Sequence, residues 1–183
     1  LKQYLAAVKA MGFYFRQRAH HTKALGYFKK MILFANTIQD DTSLTQAYFY
    51  TGTVFKAMLN YSKAQSYFFK VLNRIKKTGH QELLVKTYNE LGDLFMETNR
   101  QDSATEYFQK AISLAKTIQS KESQLIAYHR MANIMHQKGD VTEASKYLDK
   151  GIMLARKSYP GYLPKLLLEK ADMERQSNTI PKT

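Results

Sequence analysis

Hydrophobic residues recur along the chain at three- and four-residue intervals, which is the spacing of one face of an α-helix. In the segment from 84 to 115, one such stripe is followed by a polar break at 98–101 and then by a second stripe. The first stripe contains Leu84, Tyr88, Leu91, Gly92 and Phe95, and the second contains Ala104, Tyr107, Phe108, Ala111, Ile112, Leu114 and Ala115. The pattern predicts two consecutive helices joined by a short turn.

The same two-helix pattern returns at one fixed interval, the interval that separates Gly12 from Gly52. Each copy has a small residue in its first stripe and an alanine in its second stripe. An aromatic pair follows that alanine in the first three copies, and a tyrosine–leucine pair follows it in the fourth. In chain order, these positions are Gly12, Gly52, Gly92 and Ala132; Ala24, Ala64, Ala104 and Ala144; and Tyr27-Phe28, Tyr67-Phe68, Tyr107-Phe108 and Tyr147-Leu148. A fixed period in this range is typical of a solenoid, in which each unit packs on its neighbours.

The period defines the expected domain organisation. We predict an all-α chain that forms a single domain, 1–183, with four repeats and a C-terminal capping helix. The repeats are 5–44, 45–84, 85–124 and 125–164, the capping helix covers about 162–176, and a tail follows at 177–183. The predicted N-caps of the second helices are Thr22, Ser62, Asp102 and Thr142, and the stripe predicted to cap repeat 4 is Leu163, Leu167, Leu168 and Ala171.

The third repeat identifies a family resemblance. Tyr88-Asn89-Glu90-Leu91-Gly92, followed by Ala104 and Tyr107-Phe108, resembles a tetratricopeptide repeat. The register holds in all four units, and the resemblance implies a right-handed superhelix of helix-turn-helix repeats. The 40-residue form, longer than the usual repeat, resembles repeats of bacterial signalling and regulatory proteins, including Rap-type phosphatase regulators. It also resembles the kinesin-light-chain type.

The resemblance also implies where a ligand binds. In the family, the first helix of each repeat lines a concave groove that holds a protein segment or an extended peptide. Phe13 and Phe49 are expected to anchor such a segment or, alternatively, to pack on neighbouring helices. Asn89 and Asn133 are expected to form hydrogen bonds with the backbone of such a segment. Alternatively, they form hydrogen bonds between repeats within the groove. The predicted groove residues are Lys9, Phe13, Arg16, Phe49, Thr53, Lys56, Asn89, Asp93, Met96, His129, Asn133 and His136.

Charge favours an anionic partner. The formal net charge is +13, and the four repeats carry +4, +5, −1 and +3 in order. A positive field attracts acidic protein surfaces and nucleic acids alike. A basic cluster in repeat 2 comprises Lys70, Arg74, Lys76 and Lys77. The alternative interpretation of these lysines is that they keep the helix surfaces solvated.

The residues present do not indicate catalysis or a bound cofactor. The sequence contains no cysteine, which excludes thiolate chemistry and zinc–thiolate sites. His129 and His136 share a helix face, but no carboxylate at helical spacing completes a metal site. Glu90, Asp93 and Glu97 also share a face, which is more typical of a polar groove wall than of acid–base machinery. We therefore predict no enzyme activity, no metal and no cofactor.

Two functions from different classes follow. The leading prediction is a protein- or peptide-binding scaffold, as the regulatory or sensory module of a larger bacterial signalling protein in the cytoplasm. The partner is a protein or extended peptide, with an acidic one favoured by charge. The alternative is a nucleic-acid-associated module that uses the basic surface of repeats 1 and 2. Self-association through an end or the groove is a third prediction, and no apolar run approaches the ~20 residues that a membrane span needs.

Overall fold

The computed structural model describes residues 2–179 of the backbone, with side chains to residue 176. The described part contains nine α-helices, one 3-10 turn and no strand. The helices are α1 (Lys2–Gln17), α2 (His21–Thr37), α3 (Asp41–Ala57), α4 (Tyr61–Thr78), α5 (Gln81–Glu97), α6 (Gln101–Thr117), α7 (Lys121–Gln137), α8 (Val141–Ser158) and α9 (Leu163–Thr179). The predicted all-α fold with four helix-turn-helix repeats and a capping helix is confirmed. None of the described helices is both long enough and apolar enough to cross a membrane.

The chain forms two compact units, residues 1–94 and 95–183, which are described separately below. The single domain predicted for 1–183 stays a prediction. The tail predicted from residue 177 is helical as far as Thr179, because α9 continues to that residue. The rest of the predicted tail, 180–183, lies outside the described residues.

The second helices begin earlier than predicted. Asn60 and Asp140 are the N-caps of α4 and α8, and their side chains accept hydrogen bonds from the backbone amides of Lys63 and Glu143 at 3.1 and 2.9 Å. The predicted caps Thr22, Ser62, Asp102 and Thr142 are wrong, because each lies inside the first turn of its helix. The caps of α2 and α6 are His20 and Arg100, whose side chains make no capping bond.

A left-handed residue precedes each of these caps. Ala19, Leu59, Asn99 and Gly139 all have φ between 56° and 81°, and they occupy the same position in successive repeats. Gln39, Gly79 and Gln119 form a second such series between the repeats. Left-handed backbone reverses the chain direction in a few residues, so the repeat is encoded in the turns as well as in the helix faces.

In unit 1, the core of each hairpin is a phenylalanine against a glycine. Phe28 and Phe68 are fully buried on α2 and α4. A Cβ atom built on Gly52 would lie 2.7 Å from the Phe68 ring, and one built on Gly12 would meet the Phe28 ring even more closely. The small residues of the first helices therefore make room for the ring of the second helix in the same repeat.

In unit 2, a different pair of residues packs at the equivalent contact between the two helices of a hairpin. In repeat 4, Ala132 and Leu148 occupy the positions of the glycine and the phenylalanine, and both are fully buried in one cluster. A branched aliphatic side chain replaces the flat ring, and the partner helix carries a Cβ atom. The two changes belong together, since each compensates for the other's volume.

Helix α9 caps unit 2 through a face that the sequence did not identify. Leu166 is fully buried and Met173 is 8% exposed, and both join the cluster formed by α7 and α8. The predicted capping stripe is wrong at Leu167 and Leu168, which are 41% and 64% exposed. Three consecutive leucines fit several helix faces, so spacing alone could not choose among them.

Candidate functional site

The first helices of unit 1 are joined by polar contacts that repeat with the chain register. Lys9 on α1 donates a hydrogen bond to the side-chain oxygen of Gln46 on α3, at 3.2 Å. Arg16, two turns further along α1, donates to the hydroxyl of Thr53 on α3, also at 3.2 Å. Both contacts span 37 residues in sequence. We call the surface that carries these contacts on α1, α3 and α5 the first-helix face of unit 1.

On the same face, Lys56 of α3 is held by two carboxylates of α5. It pairs with Glu90, and its Nζ lies 3.3 Å from the Asp93 carboxylate. Burial alone would lower the pKa of Lys56, but the charges of Glu90 and Asp93 outweigh it, and the pKa is raised. Lys56 is therefore a neutralised, fixed cation.

Lys9 and Arg16 are in a different electrostatic situation. Their hydrogen-bond acceptors, Gln46 and Thr53, are neutral, and within the described part of the chain no carboxylate pairs with either cation. Each cation also lies against an aromatic ring: Lys9 is 5.5 Å from the centre of Tyr50, and Arg16 is 5.2 Å from the centre of Phe13. Both side chains are held in place while their charges stay uncompensated.

Phe13 lies between these two cations on α1. It is half-buried, and its ring meets Tyr50 edge-on at 4.7 Å and Phe28 at 5.8 Å between ring centres. These contacts fix the ring without covering it. Phe13 is the predicted aromatic anchor that keeps surface for a ligand.

Phe49 and Asn89 are more buried than residues that contact a ligand directly are expected to be. Phe49 is 8% exposed and packs 6.0 Å from the Phe68 ring, and Asn89 is 7% exposed. Thr53 is also 7% exposed and accepts the bond from Arg16. The roles of these residues in ligand contact stay predictions. In the fold, Phe49 packs on the Phe68 ring of α4, the second helix of its own repeat, and Thr53 joins two first helices through its bond with Arg16.

The predicted groove residues divide between the two units. Unit 1 holds Lys9, Phe13, Arg16, Phe49, Thr53, Lys56, Asn89 and Asp93, whereas unit 2 holds Met96, His129, Asn133 and His136. In unit 2, Met96, Asn133 and His136 are half-buried and His129 is 6% exposed.

His129 has a partner that the sequence did not suggest. Its Nε2 atom lies 2.6 Å from a carboxylate oxygen of Glu169 on α9. Burial lowers the pKa of His129, although the carboxylate of Glu169 acts in the opposite direction. Glu169 follows His129 by one full repeat period, so extending the repeat register into α9 would have found this pair. Among the described residues, no three His, Asp or Glu side chains come close enough to hold a metal ion.

Comparison with known proteins identifies the repeats. Residues 85–118 and 125–158 match the family model described as tetratricopeptide repeat. The chain contains tetratricopeptide repeats. No curated protein sequence matches the chain significantly.

Solved structures share the tetratricopeptide fold with this chain at low sequence identity. BtubC (BKLC) from P. vanneervenii has a TM-score of 0.83 at 13% identity, over 93% of this chain and 72% of the other. The apo form of RapI has a TM-score of 0.81 at 14% identity, over 96% of this chain and 49% of RapI.

A third structure carries these repeats as one part of a longer chain. It is a signal-transduction ATPase of the STAND class with a tetratricopeptide repeat sensor, from Pyrococcus horikoshii. Its TM-score is 0.74 at 20% identity, over 92% of this chain and 25% of that protein. The part of the STAND protein that aligns with this chain is therefore a quarter of its length. At these identities the likeness shows the fold alone, an α-solenoid.

Proposed function

We propose that the first-helix face of unit 1 binds an extended acidic segment of a partner protein, with Lys9, Phe13 and Arg16 as its contact residues. The observation that carries the proposal is the state of the two cations. Both are fixed by neutral hydrogen-bond acceptors, neither is neutralised by a carboxylate in the described part of the chain, and a half-buried aromatic ring lies between them.

The spacing of these residues defines the ligand. Lys9 and Arg16 are two helical turns apart on α1, which separates them by about 10 Å along the axis. An extended chain in the polyproline II conformation rises about 3.1 Å per residue and has three residues per turn, so acidic side chains at every third position lie on one side of it, about 9 Å apart. An apolar side chain between them would meet Phe13. Because Gln46 and Thr53 already hold the cations in place, binding loses little side-chain entropy on the receptor side.

A labelled peptide made of Glu-Leu-Ser repeats is the matching probe, and the same peptide with Gln in place of Glu is its control. Fluorescence anisotropy should show binding of the acidic peptide, weakened about tenfold or more by Arg16→Gln or Phe13→Ala. Lys30→Gln on α2 removes the same charge from an exposed site away from the face and should leave affinity nearly unchanged. An equal loss of affinity with Lys30→Gln would contradict the proposed site and would indicate binding by a diffuse basic surface.

The broader role that we propose is that of a regulatory or sensory module in a larger bacterial signalling protein. Support comes from the STAND protein, in which tetratricopeptide repeats form a sensor. Sequencing the parent open reading frame tests this role. A kinase, an ATPase or a DNA-binding domain beside the repeats would support it, and a frame with no effector domain would contradict it. The cytoplasmic location stays a prediction.

A nucleic-acid partner is the second candidate, and the charge distribution favours it. Residues 1–39 contain seven Lys or Arg and no Asp or Glu. On α4, Lys70 lies 4.7 Å from the ring of Tyr67, and Lys76 and Lys77 are exposed. Arg74, in contrast, is paired with Asp41.

Salt dependence separates the two candidates. Binding of a single-stranded or double-stranded oligonucleotide should weaken steeply with salt and with the double reversal of Lys76 and Lys77 to Glu. Binding of the acidic peptide should tolerate that reversal, because Lys76 and Lys77 lie on the second helix of repeat 2. Oligonucleotide binding that exceeds peptide binding at moderate salt would favour the second candidate.

A further inference from the structure

The turn between α3 and α4 presents two apolar side chains to solvent. Met58 is 42% exposed and Leu59 is 71% exposed. Leu59 also has left-handed backbone, with φ at 59°, a conformation that favours glycine and asparagine over leucine. Leucine is therefore unfavourable at this position both for its backbone and for its exposed side chain, and it contributes little to the core.

The equivalent turns of the other repeats lack an apolar pair of this size. The two positions are occupied by Arg18-Ala19, Thr98-Asn99 and Lys138-Gly139. Asparagine and glycine adopt left-handed backbone more readily than leucine does. Because the turn forms without large apolar residues elsewhere in the chain, Met58 and Leu59 indicate a contact outside the fold.

The α1–α2 turn lies beside the α3–α4 turn. Lys9 contacts Gln46, and two helical turns later Arg16 contacts Thr53, both across 37 residues. The helices α1 and α3 therefore run side by side in the same direction, and they end together at Gln17 and Ala57. The segments that follow them, 18–23 and 58–63, lie at one edge of unit 1, which we call the turn edge.

The turn edge carries cations and no carboxylate. Arg18, Lys23 and Lys63 are exposed, and neither segment contains Asp or Glu. Within the described part of the chain, no carboxylate from another segment pairs with these three cations. Each cation lies against an aromatic ring, which restricts its position. The pairs and their distances to the ring centre are Arg18 and Tyr14 at 4.0 Å, Lys23 and Phe15 at 5.3 Å, and Lys63 and Phe55 at 5.4 Å.

We propose that the turn edge of unit 1 docks on an anionic lipid bilayer, with Met58 and Leu59 in the headgroup region and the three cations on the lipid headgroups. A bilayer supplies both a uniformly negative surface and an apolar layer beneath it. A nucleic acid attracts the same cations but accepts an apolar side chain only between unstacked bases. This contact goes beyond the peptide-binding role and does not depend on it.

Tryptophan fluorescence on the 183-residue chain tests where the bilayer is contacted. The sequence contains no tryptophan, so a single substitution reports on one position. Leu59→Trp places the reporter at the turn edge. Leu33→Trp is the matched control, because Leu33 is 70% exposed and lies about 18 Å along α2 from its start at His21.

The probes are vesicles of pure phosphatidylcholine and vesicles that contain phosphatidylcholine and phosphatidylglycerol in equimolar amounts. With the anionic vesicles, emission from position 59 should shift to the blue and should be quenched by brominated lipid, because the side chain enters an apolar layer. Emission from position 33 should show neither change. Pure phosphatidylcholine should leave both reporters unchanged, since it offers no negative surface.

Cosedimentation with the anionic vesicles at about 0.1 M salt measures affinity. Met58→Thr combined with Leu59→Asn gives repeat 2 the turn residues of repeat 3, and should weaken binding about tenfold. Lys63→Gln should weaken it about fivefold. Lys77→Gln removes the same charge about 20 Å further along α4, beyond the screening length at this salt, and should change affinity little.

Three results would overturn the proposal. Absence of binding to the anionic vesicles would leave a protein pocket as the occupant of the turn edge. Equal blue shifts at positions 59 and 33 would indicate unoriented adsorption of a basic protein. Unchanged vesicle binding by the Met58→Thr, Leu59→Asn double variant, with Lys63→Gln weakening the binding of a duplex oligonucleotide, would indicate a nucleic-acid surface. Circular dichroism checks that every variant remains helical.

Discussion

Replacing Gly52 by alanine tests the packing between α3 and the Phe68 ring. The added Cβ atom would lie 2.7, 2.9 and 3.2 Å from three atoms of a fully buried ring. Overpacking of this kind costs up to about 3 kcal/mol, and alanine in place of glycine in a helix returns about 1 kcal/mol. We expect a net loss of about 2 kcal/mol in the free energy of unfolding, measured by urea denaturation followed by circular dichroism.

Gly26 provides the matched control. It lies inside α2, and a Cβ atom built there meets nothing within 4 Å. Gly26→Ala should therefore stabilise the chain by up to about 1 kcal/mol. The same chemical change thus has opposite expected signs at two helical sites.

The residue pair found in repeat 4 suggests a second substitution that should restore stability to the Gly52→Ala variant. There, Ala132 and Leu148 take the positions of Gly52 and Phe68. Phe68→Leu alone should cost about 1 kcal/mol through the void that it leaves. Combined with Gly52→Ala, it should recover more than about 1 kcal/mol relative to additivity, in the manner of a double-mutant cycle. Strictly additive losses, or a stabilising Gly52→Ala, would refute the packing argument.

Two further predictions concern single residues. Burial holds the pKa of His129 below its ordinary 6.5, so the unfolded chain takes up a proton first as the pH falls, and the free energy of unfolding should decline as the pH drops through about 6.5. Urea denaturation of His129→Gln across the same range should show a smaller decline, and an unchanged decline would contradict the assignment. Asp140→Ala should cost about 1 kcal/mol because it removes the N-cap of α8, whereas Thr142→Ala should cost little, and equal losses in urea denaturation would restore Thr142 as the cap.

Helix number, helix pairing and turn positions could be predicted because each is repeated. A hydrophobic stripe that recurs in every repeat supports the same helix assignment several times, so the assignment holds even where the pattern in one repeat is weak. The polar break at 98–101, for example, falls where α5 ends at Glu97 and α6 begins at Gln101. The helix starts were misplaced because Ser62 is as good a cap by composition as Asn60. The left-handed backbone at Leu59, which decides between them, has no signature in a leucine.

The site was predicted less completely because it depends on contacts between repeats. The sequence places Phe13 and Phe49 at equivalent exposure, yet Phe49 packs against Phe68 and is nearly covered. The acceptors of Lys9 and Arg16 determine whether those cations are free to bind an anion, and hydrogen-bond partners cannot be read from helical spacing. The neutral partners of these two cations and the carboxylate partners of Lys56 became visible only in the fold.

Site-specific photo-crosslinking tests the central claim most directly, that the first-helix face of unit 1 holds an acidic peptide. A photoreactive phenylalanine analogue replaces Phe13 in one protein and Leu33, on the exposed side of α2, in a second. We predict that the Glu-Leu-Ser peptide crosslinks to position 13, that Arg16→Gln in the same protein removes the crosslink, and that position 33 gives none. Equal crosslinking at both positions, or crosslinking at 33 alone, would contradict the account.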